Sequence, residues 1–353
     1  MDQRTRFLEA MRRRRSGYVP LDLQLSPFQM QVLKEKTGYA EAEDYCDAPF
    51  QRVRARYIGD ASVFHPYHRP EDLPLMHITC WGVGLKRGSL YHFTEKVHSM
   101  THLGTLAEFE RYPLPDPDRD FDWEALRRDA DTVHAKGCVA CVDYAQTIFE
   151  MAWQMRGMDA LLMDMMTEPE LALCLFSRMA TVRTVMVERA LDAGCEMLLL
   201  GDDVATQRGM LMRPSLWRDM LKPFMRDIIA AARQRRPDVL IGYHGCGDMS
   251  ALLDDIVEMG VDLLNPVQPE CMDPVRIKAR YGDCLSLWGL IGTQSLLPFG
   301  TPRQVYDACM HWMRTLSGNG GLMLAPAHVV EPEVPWDNVE AAVRAVQDFN
   351  LAQ

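Results

Sequence analysis

Apolar positions along the chain follow two rhythms. Short aliphatic runs alternate with longer stretches in which apolar residues recur every third or fourth position. These are the periods of buried strands and amphipathic helices. The short runs predict eight strands: Val19–Gln24, Tyr57–Val63, Cys138–Asp143, Glu196–Asp203, Val239–Cys246, Val261–Val267, Leu285–Ile291 and Gly321–Pro326. Helical spacing predicts helices over Glu168–Ala193, Pro214–Arg236, Met249–Met259, Pro302–Leu316 and Trp336–Phe349. Arg213-Pro214-Ser215 and Gly300-Thr301-Pro302 mark helix starts, with proline in the first turn. Strand–helix alternation predicts a parallel sheet, and eight such units predict an α/β (β/α)8 TIM barrel, with an open doubly wound sheet as the alternative.

One stretch breaks the rhythm. His65–Asp120 carries two short β-like runs, Met76–Gly84 and Ser89–Glu95, around the turn Lys86-Arg87-Gly88, then the Pro/Asp-rich stretch Tyr112–Asp118. It reads as an insertion of about residues 65–120 between the second and third strands, a hairpin arm over one barrel end, within a single domain spanning residues 1–353.

Composition narrows the function classes. The 353 residues are 48% hydrophobic and 25% charged, a globular balance. Lys and Arg total 38 against 49 Asp and Glu, and the net charge of −11 argues against a nucleic-acid partner. No apolar run approaches the ~18 residues of a membrane span. The first residues, Met1-Asp2-Gln3-Arg4-Thr5, contain no apolar signal core, so the ten scattered cysteines are expected to be reduced thiols in the cytoplasm. The run Arg12–Arg15 is expected at the solvated end of a first helix.

The sharpest chemical feature is Tyr243-His244-Gly245-Cys246-Gly247, which closes a predicted strand before a predicted helix. Residues i and i+2 of a strand share a face, so His244 and Cys246 point together, at the strand end where barrel active sites gather, while Tyr243 faces away into packing. An imidazole beside a thiolate suits zinc. A third ligand is expected from another strand end. His328, in Ala325-Pro326-Ala327-His328, leads, with Cys271 and the pair Asp202-Asp203 as competitors. Three protein ligands with one open position would make the metal catalytic.

From about Gly194 onward the chain resembles the uroporphyrinogen decarboxylase superfamily, and within it the branch of cobalamin-linked methyltransferases. The resemblance rests on Gly201-Asp202-Asp203 through Gln207, Met212-Arg213-Pro214 with Lys222-Pro223, and His244-Gly245-Cys246-Gly247. It continues through Gly260–Gln268, Trp288-Gly289 with Gly292-Thr293-Gln294, and Ala325–His328. The resemblance implies a zinc-dependent methyltransferase that moves a methyl group between a small methylated molecule and a corrinoid protein, and it implies a homodimer. The chain contains no recognisable corrinoid-binding segment, so the corrinoid would come on a partner.

Two departures refine this. Uroporphyrinogen decarboxylases carry an arginine-rich motif after the first strand, and here Leu23–Phe28 contains no arginine, which disfavours a porphyrinogen. Thiol-activating relatives carry a second cysteine at the position that the resemblance gives to His328 in this chain. Zinc with His244, His328 and one thiolate keeps a net positive charge and is a stronger Lewis acid than the neutral centre with two thiolates, which favours an O-methyl substrate. Transfer from methyl-corrinoid to a thiol or pterin, and metal-independent decarboxylation, are the alternatives. Asp203, Gln207, Gln268 and Gln294 are expected to bind substrate or assist catalysis, and Asp202 to support a ligand or cap a neighbouring segment.

Other features read as packing. Cys138 and Cys141 have CxxC spacing but face opposite sides of a strand. The methionines around Met151–Met166 are core filler, and His98 and His102 lack the glutamate of a zinc-protease helix.

Overall fold

The computed structural model describes residues 2–14, 17–88 and 93–353. Arg15 and the first four residues of the run Ser89–Glu95 lie outside them. Seven parallel strands form one sheet in sequential order: β1 (Phe50–Val53), β2 (Val139–Asp143), β3 (Met197–Gly201), β4 (Leu240–His244), β5 (Leu263–Val267), β6 (Ser286–Ile291) and β7 (Leu322–Pro326). The segment Val19–Leu25 takes the eighth position beside β7. Asp22 donates its N–H to the Leu324 carbonyl at 2.9 Å, and Leu324 donates to Pro20 at 3.0 Å. A bidentate ion pair, Arg52–Asp22, both bonds 2.8 Å, links this segment to β1. The sheet thus curls into an α/β barrel.

Alternation along the strands sorts their side chains. Val139 and Cys141, Met197 and Leu199, Met323 and Ala325 share one buried cluster with Leu240, Leu263 and Trp288. The first helix, Gln3–Met11, sends Phe7, Ala10 and Met11 into that cluster, and Phe7 stacks on Phe50 at 5.6 Å. The odd partners, such as Leu198, Leu200, Ile241 and Tyr243, pack outward against the helices. Cys138 belongs to the outer cluster and Cys141 to the inner.

Most predicted elements appear within a few residues of their expected bounds. Helix Pro302–Leu316 starts on a capping box, Thr301 with Gln304. Pro214–Arg236 divides into Pro214–Met220 and Lys222–Arg235, with Pro223 in the first turn of the second. The expected second strand is displaced. Asp60 accepts the Ser62 N–H at 2.8 Å and starts a 3₁₀ helix over Ala61–Tyr67, while the strand lies earlier, at Phe50–Val53. Gln51 and Arg52 hid that strand's apolar pattern. Arg12 and Arg13 are not a solvated helix end. They follow the helix and donate to the carbonyls of Asp238 and Asp283, at 2.7 and 3.1 Å.

Between β1 and β2, Arg56–Tyr57 pairs antiparallel with Phe121–Asp122. Within that bracket lies a three-stranded antiparallel sheet of Met76–Ile78, Gly84–Arg87 and Thr94–Val97. No helix among the described residues is long and apolar enough to cross a membrane.

Candidate metal centre

Register sets the centre. His244 ends β4 opposite Asn265 of β5 on one side and Gly201 of β3 on the other. The imidazole Nδ1 lies 2.7 Å from Asn265 Oδ1. A carbonyl oxygen only accepts, so Nδ1 carries a proton, and in the neutral ring the lone pair lies on Nε2. That lone pair faces Cys246 Sγ at 3.7 Å and Asp203 Oδ1 at 3.6 Å. Asp203 Oδ1 also accepts the Cys246 N–H at 2.7 Å, and Gln268 Oε1 accepts the Gly247 N–H at 2.5 Å. Gly201 has φ +130°, and a Cβ there would overlap the His244 carbonyl, so the close approach of β3 to β4 at this level requires glycine.

Donor atoms of Asp203, His244 and Cys246 all lie within 4.8 Å of one another. Among the described residues this is the one such group of three. One nitrogen, one sulfur and one carboxylate oxygen, with the histidine tautomer already set by a hydrogen-bond partner, match the donor chemistry of a zinc site with an open position. His328 is exposed at the same mouth but does not belong to this group. Cys271 is also outside it, its Sγ 3.8 Å from Gln268 Oε1.

Two cavities meet at the cluster. The larger, about 650 Å³, is lined by His244, Cys246, Asp203 and His328, together with Glu150, Arg183 and Trp81. The smaller, about 420 Å³, shares Asp203, Cys246 and His328 and adds Gln207, Gln268 and Gln294. Asp202 turns the other way. It is buried, and its carboxylate accepts the N–H groups of Ile148 and Glu150, at 3.1 and 2.9 Å, at the start of helix Phe149–Arg156.

Electrostatics at the mouth are those of crowded acids. Burial pushes the Asp202 carboxyl up to about 7, against the pull of its backbone donors. Burial, then the Asp203 and Asp202 carboxylates, push Glu150 up to about 7. Burial and Asp203 push the Cys246 thiol well above its ordinary range. A divalent cation among these groups would oppose each shift.

Sequence reasoning named neither Glu150 nor Asn265 as a site residue. Asn265 stands in the expected strand, and only the register reveals that it faces His244. Glu150 opens a helix after β2, in the stretch Glu150–Met158 that matches the superfamily loosely, and only the fold brings it to the cavity.

Comparison with known proteins follows the same outline. The uroporphyrinogen decarboxylase (URO-D) family model matches residues 88–349. A uroporphyrinogen decarboxylase of Coxiella burnetii is 25% identical over 187 residues, 52% of this chain and 49% of that protein. A methylated-thiol–coenzyme M methyltransferase of Methanosarcina mazei is 27% identical over 205 residues, 57% of this chain and 51% of that protein. The chain thus matches about half the length of these curated relatives. A solved methyltransferase from Methanosarcina mazei shares the fold over 99% of both chains, with a TM-score of 0.72 at 15% identity. With the family model covering most of its length and the fold shared end to end, the chain belongs to the uroporphyrinogen decarboxylase (URO-D) family.

Proposed function

We propose that this protein is a zinc-dependent methyltransferase that moves a methyl group between a small methylated molecule, an O-methyl compound first, and a corrinoid carried by a partner protein. The observation that carries the reading is the Asp203–His244–Cys246 cluster at the wall shared by two cavities. A transfer between a small molecule and a corrinoid carried on another protein needs two approaches to one centre. The methyltransferase relatives support the same reading.

His244 through Nε2, Cys246 through Sγ and Asp203 through a carboxylate oxygen would hold the metal. Zinc, when bound, supplies a Lewis acid that draws electron density from the substrate heteroatom. Asn265 keeps His244 in the ligating tautomer, and Gln268 and Asp203 hold the backbone of the 246–247 turn. The larger cavity takes the small molecule, while Gln207, Gln268 and Gln294 line the second approach with neutral hydrogen-bonding groups. Methyl would pass to the partner's corrinoid, with its former bonding pair staying on the substrate heteroatom and the reduced corrinoid supplying the pair for the new bond.

Asp203 in the ligand set, in place of His328, lowers the formal charge of the centre from one positive charge to neutrality. The charge argument for oxygen over sulfur therefore weakens. The methylated-thiol relative keeps transfer between a corrinoid and a thiol as the second reading.

The test uses zinc-loaded protein, cobalamin reduced to the cob(I) state and parallel O-methyl and S-methyl donors, followed by the absorbance of methylcobalamin. Methylcobalamin formation that disappears in Cys246→Ser is the expected result. Preference for the S-methyl donor would select the second reading. No transfer from any donor, with release of CO₂ from a porphyrinogen, would overturn both.

A further inference from the structure

Three arginines are buried or half-buried at or beside the barrel, and two have acidic partners. Arg52 pairs with Asp22, and Arg156 pairs with Asp164 at 2.8 Å. Arg183, on the helix Pro169–Asp192, is only 4% exposed, yet among the described residues no carboxylate lies within 4.0 Å of it. Its Nη2 donates to the Gln146 carbonyl at 3.0 Å, its Nη1 faces Met186 Sδ at 3.8 Å, and its Nε has no partner.

Its surroundings hold it in place without a direct ion pair, the Asp202 and Asp143 carboxylates acting on it only from beyond 4.0 Å. The guanidinium lies 4.6 Å from the Tyr144 ring centroid and 5.1 Å from that of Trp81. Those faces support a planar cation and leave its edges to form hydrogen bonds. The Tyr144 hydroxyl beside it is also buried and without a partner. Arg183, Tyr144, Trp81 and Phe121 all line the 650 Å³ cavity that reaches His244 and Cys246. A buried cation without an ion-pair partner is destabilising in a folded protein. Here both residues line one cavity between aromatic walls, while the unpartnered Nε and hydroxyl are themselves buried.

We infer that Arg183 and Tyr144 form the binding site for the carboxylate of the small-molecule substrate, with an aromatic or apolar body against Trp81 and Phe121. Arg183 offers the fork that matches a carboxylate and Tyr144 a further donor. The inference deepens the proposed methyl transfer, and rests on it only in calling the bound acid a methyl donor or acceptor.

The experiment is direct binding by calorimetry, at low ionic strength and without corrinoid, using 4-methoxybenzoate, its neutral amide 4-methoxybenzamide, and inorganic phosphate as probes. The wild type should bind the acid about 10- to 100-fold more tightly than the amide, the range of a charge-assisted hydrogen-bonded pair. Arg183→Met should lose that preference while unfolding at no lower temperature than the wild type without ligand, because it removes a buried charge that has no direct ion-pair partner. Arg183→Lys should retain part of the preference, and Tyr144→Phe should reduce it. Cys246→Ser should leave it in place, which separates this site from a carboxylate bound at the metal.

Equal binding of acid and amide, absence of acid binding, an unchanged preference in Arg183→Met, or tighter binding of phosphate than of the acid would each overturn the inference. A markedly less stable Arg183→Met would instead assign the arginine a structural role and overturn it as well. Binding as expected with no methyl transfer from 4-methoxybenzoate would count against that compound as a donor and leave the carboxylate site standing.

Discussion

His244 is oriented by a neighbour. Asn265 Oδ1, 2.7 Å from Nδ1, fixes which nitrogen has a free lone pair, and the strand register fixes Asn265. Removing that oxygen leaves the imidazole free to rotate and to change tautomer. Asn265→Ala should therefore weaken zinc binding about 10- to 100-fold without abolishing it, the usual size of a lost orienting partner. Competition against a chelating dye measures this, and an affinity equal to wild type would remove Asn265 from the centre. At this scale the sequence was readable in part. His244 and Cys246 come together as their spacing predicts, but β4 ends at His244, and Cys246 stands in the turn after it with its N–H held by Asp203. The pairing of Asp203 with Cys246 depends on how two strand ends abut across Gly201, which no local pattern encodes.

Among the elements, the segment Val19–Leu25 has the weakest hold on the sheet. It makes isolated bridges to Leu324 and Val330 and is tied to β1 by the Arg52–Asp22 pair. Asp22 is buried and also accepts the Trp288 indole N–H at 3.1 Å. Arg52→Met should cost about 3–5 kcal/mol, because it leaves a buried carboxylate without its cation. The double variant Asp22→Asn with Arg52→Met should regain part of the loss. Urea unfolding checks both, and a single variant as stable as wild type would mean that β1 and this segment are held by packing alone. This pair also explains the displaced strand in the sequence reading. The barrel's second strand carries Gln51 and Arg52 because Arg52 reaches across to Asp22, so its apolar signal is broken. Tyr57–Val63 offered a stronger run, but Asp60 caps a 3₁₀ helix there. The later strands, apolar on both faces as buried parallel strands are, were legible almost to the residue.

At the scale of the whole molecule, sequence order and spatial order coincide. Each strand lies beside the next, and all present their C-terminal ends to one mouth. That is why residues as far apart in sequence as Asp203, Gln268, Gln294 and His328 line adjoining cavities, and why a list of strand ends was enough to nominate them. The segment between β1 and β2 was harder to read. Its short strands and 3₁₀ turns lack a long period, yet it contributes Trp81 to the cavity wall. The central claim is that a metal held by Asp203, His244 and Cys246 stands where the two cavities meet. Elemental analysis of protein purified without chelators tests it most directly, in wild type, Cys246→Ser, Asp203→Ala and His328→Ala. The account predicts about one zinc per chain in the wild type and in His328→Ala, and loss from the other two. A folded wild type that takes up no zinc on loading, or a Cys246→Ser variant that keeps its full content, would contradict it.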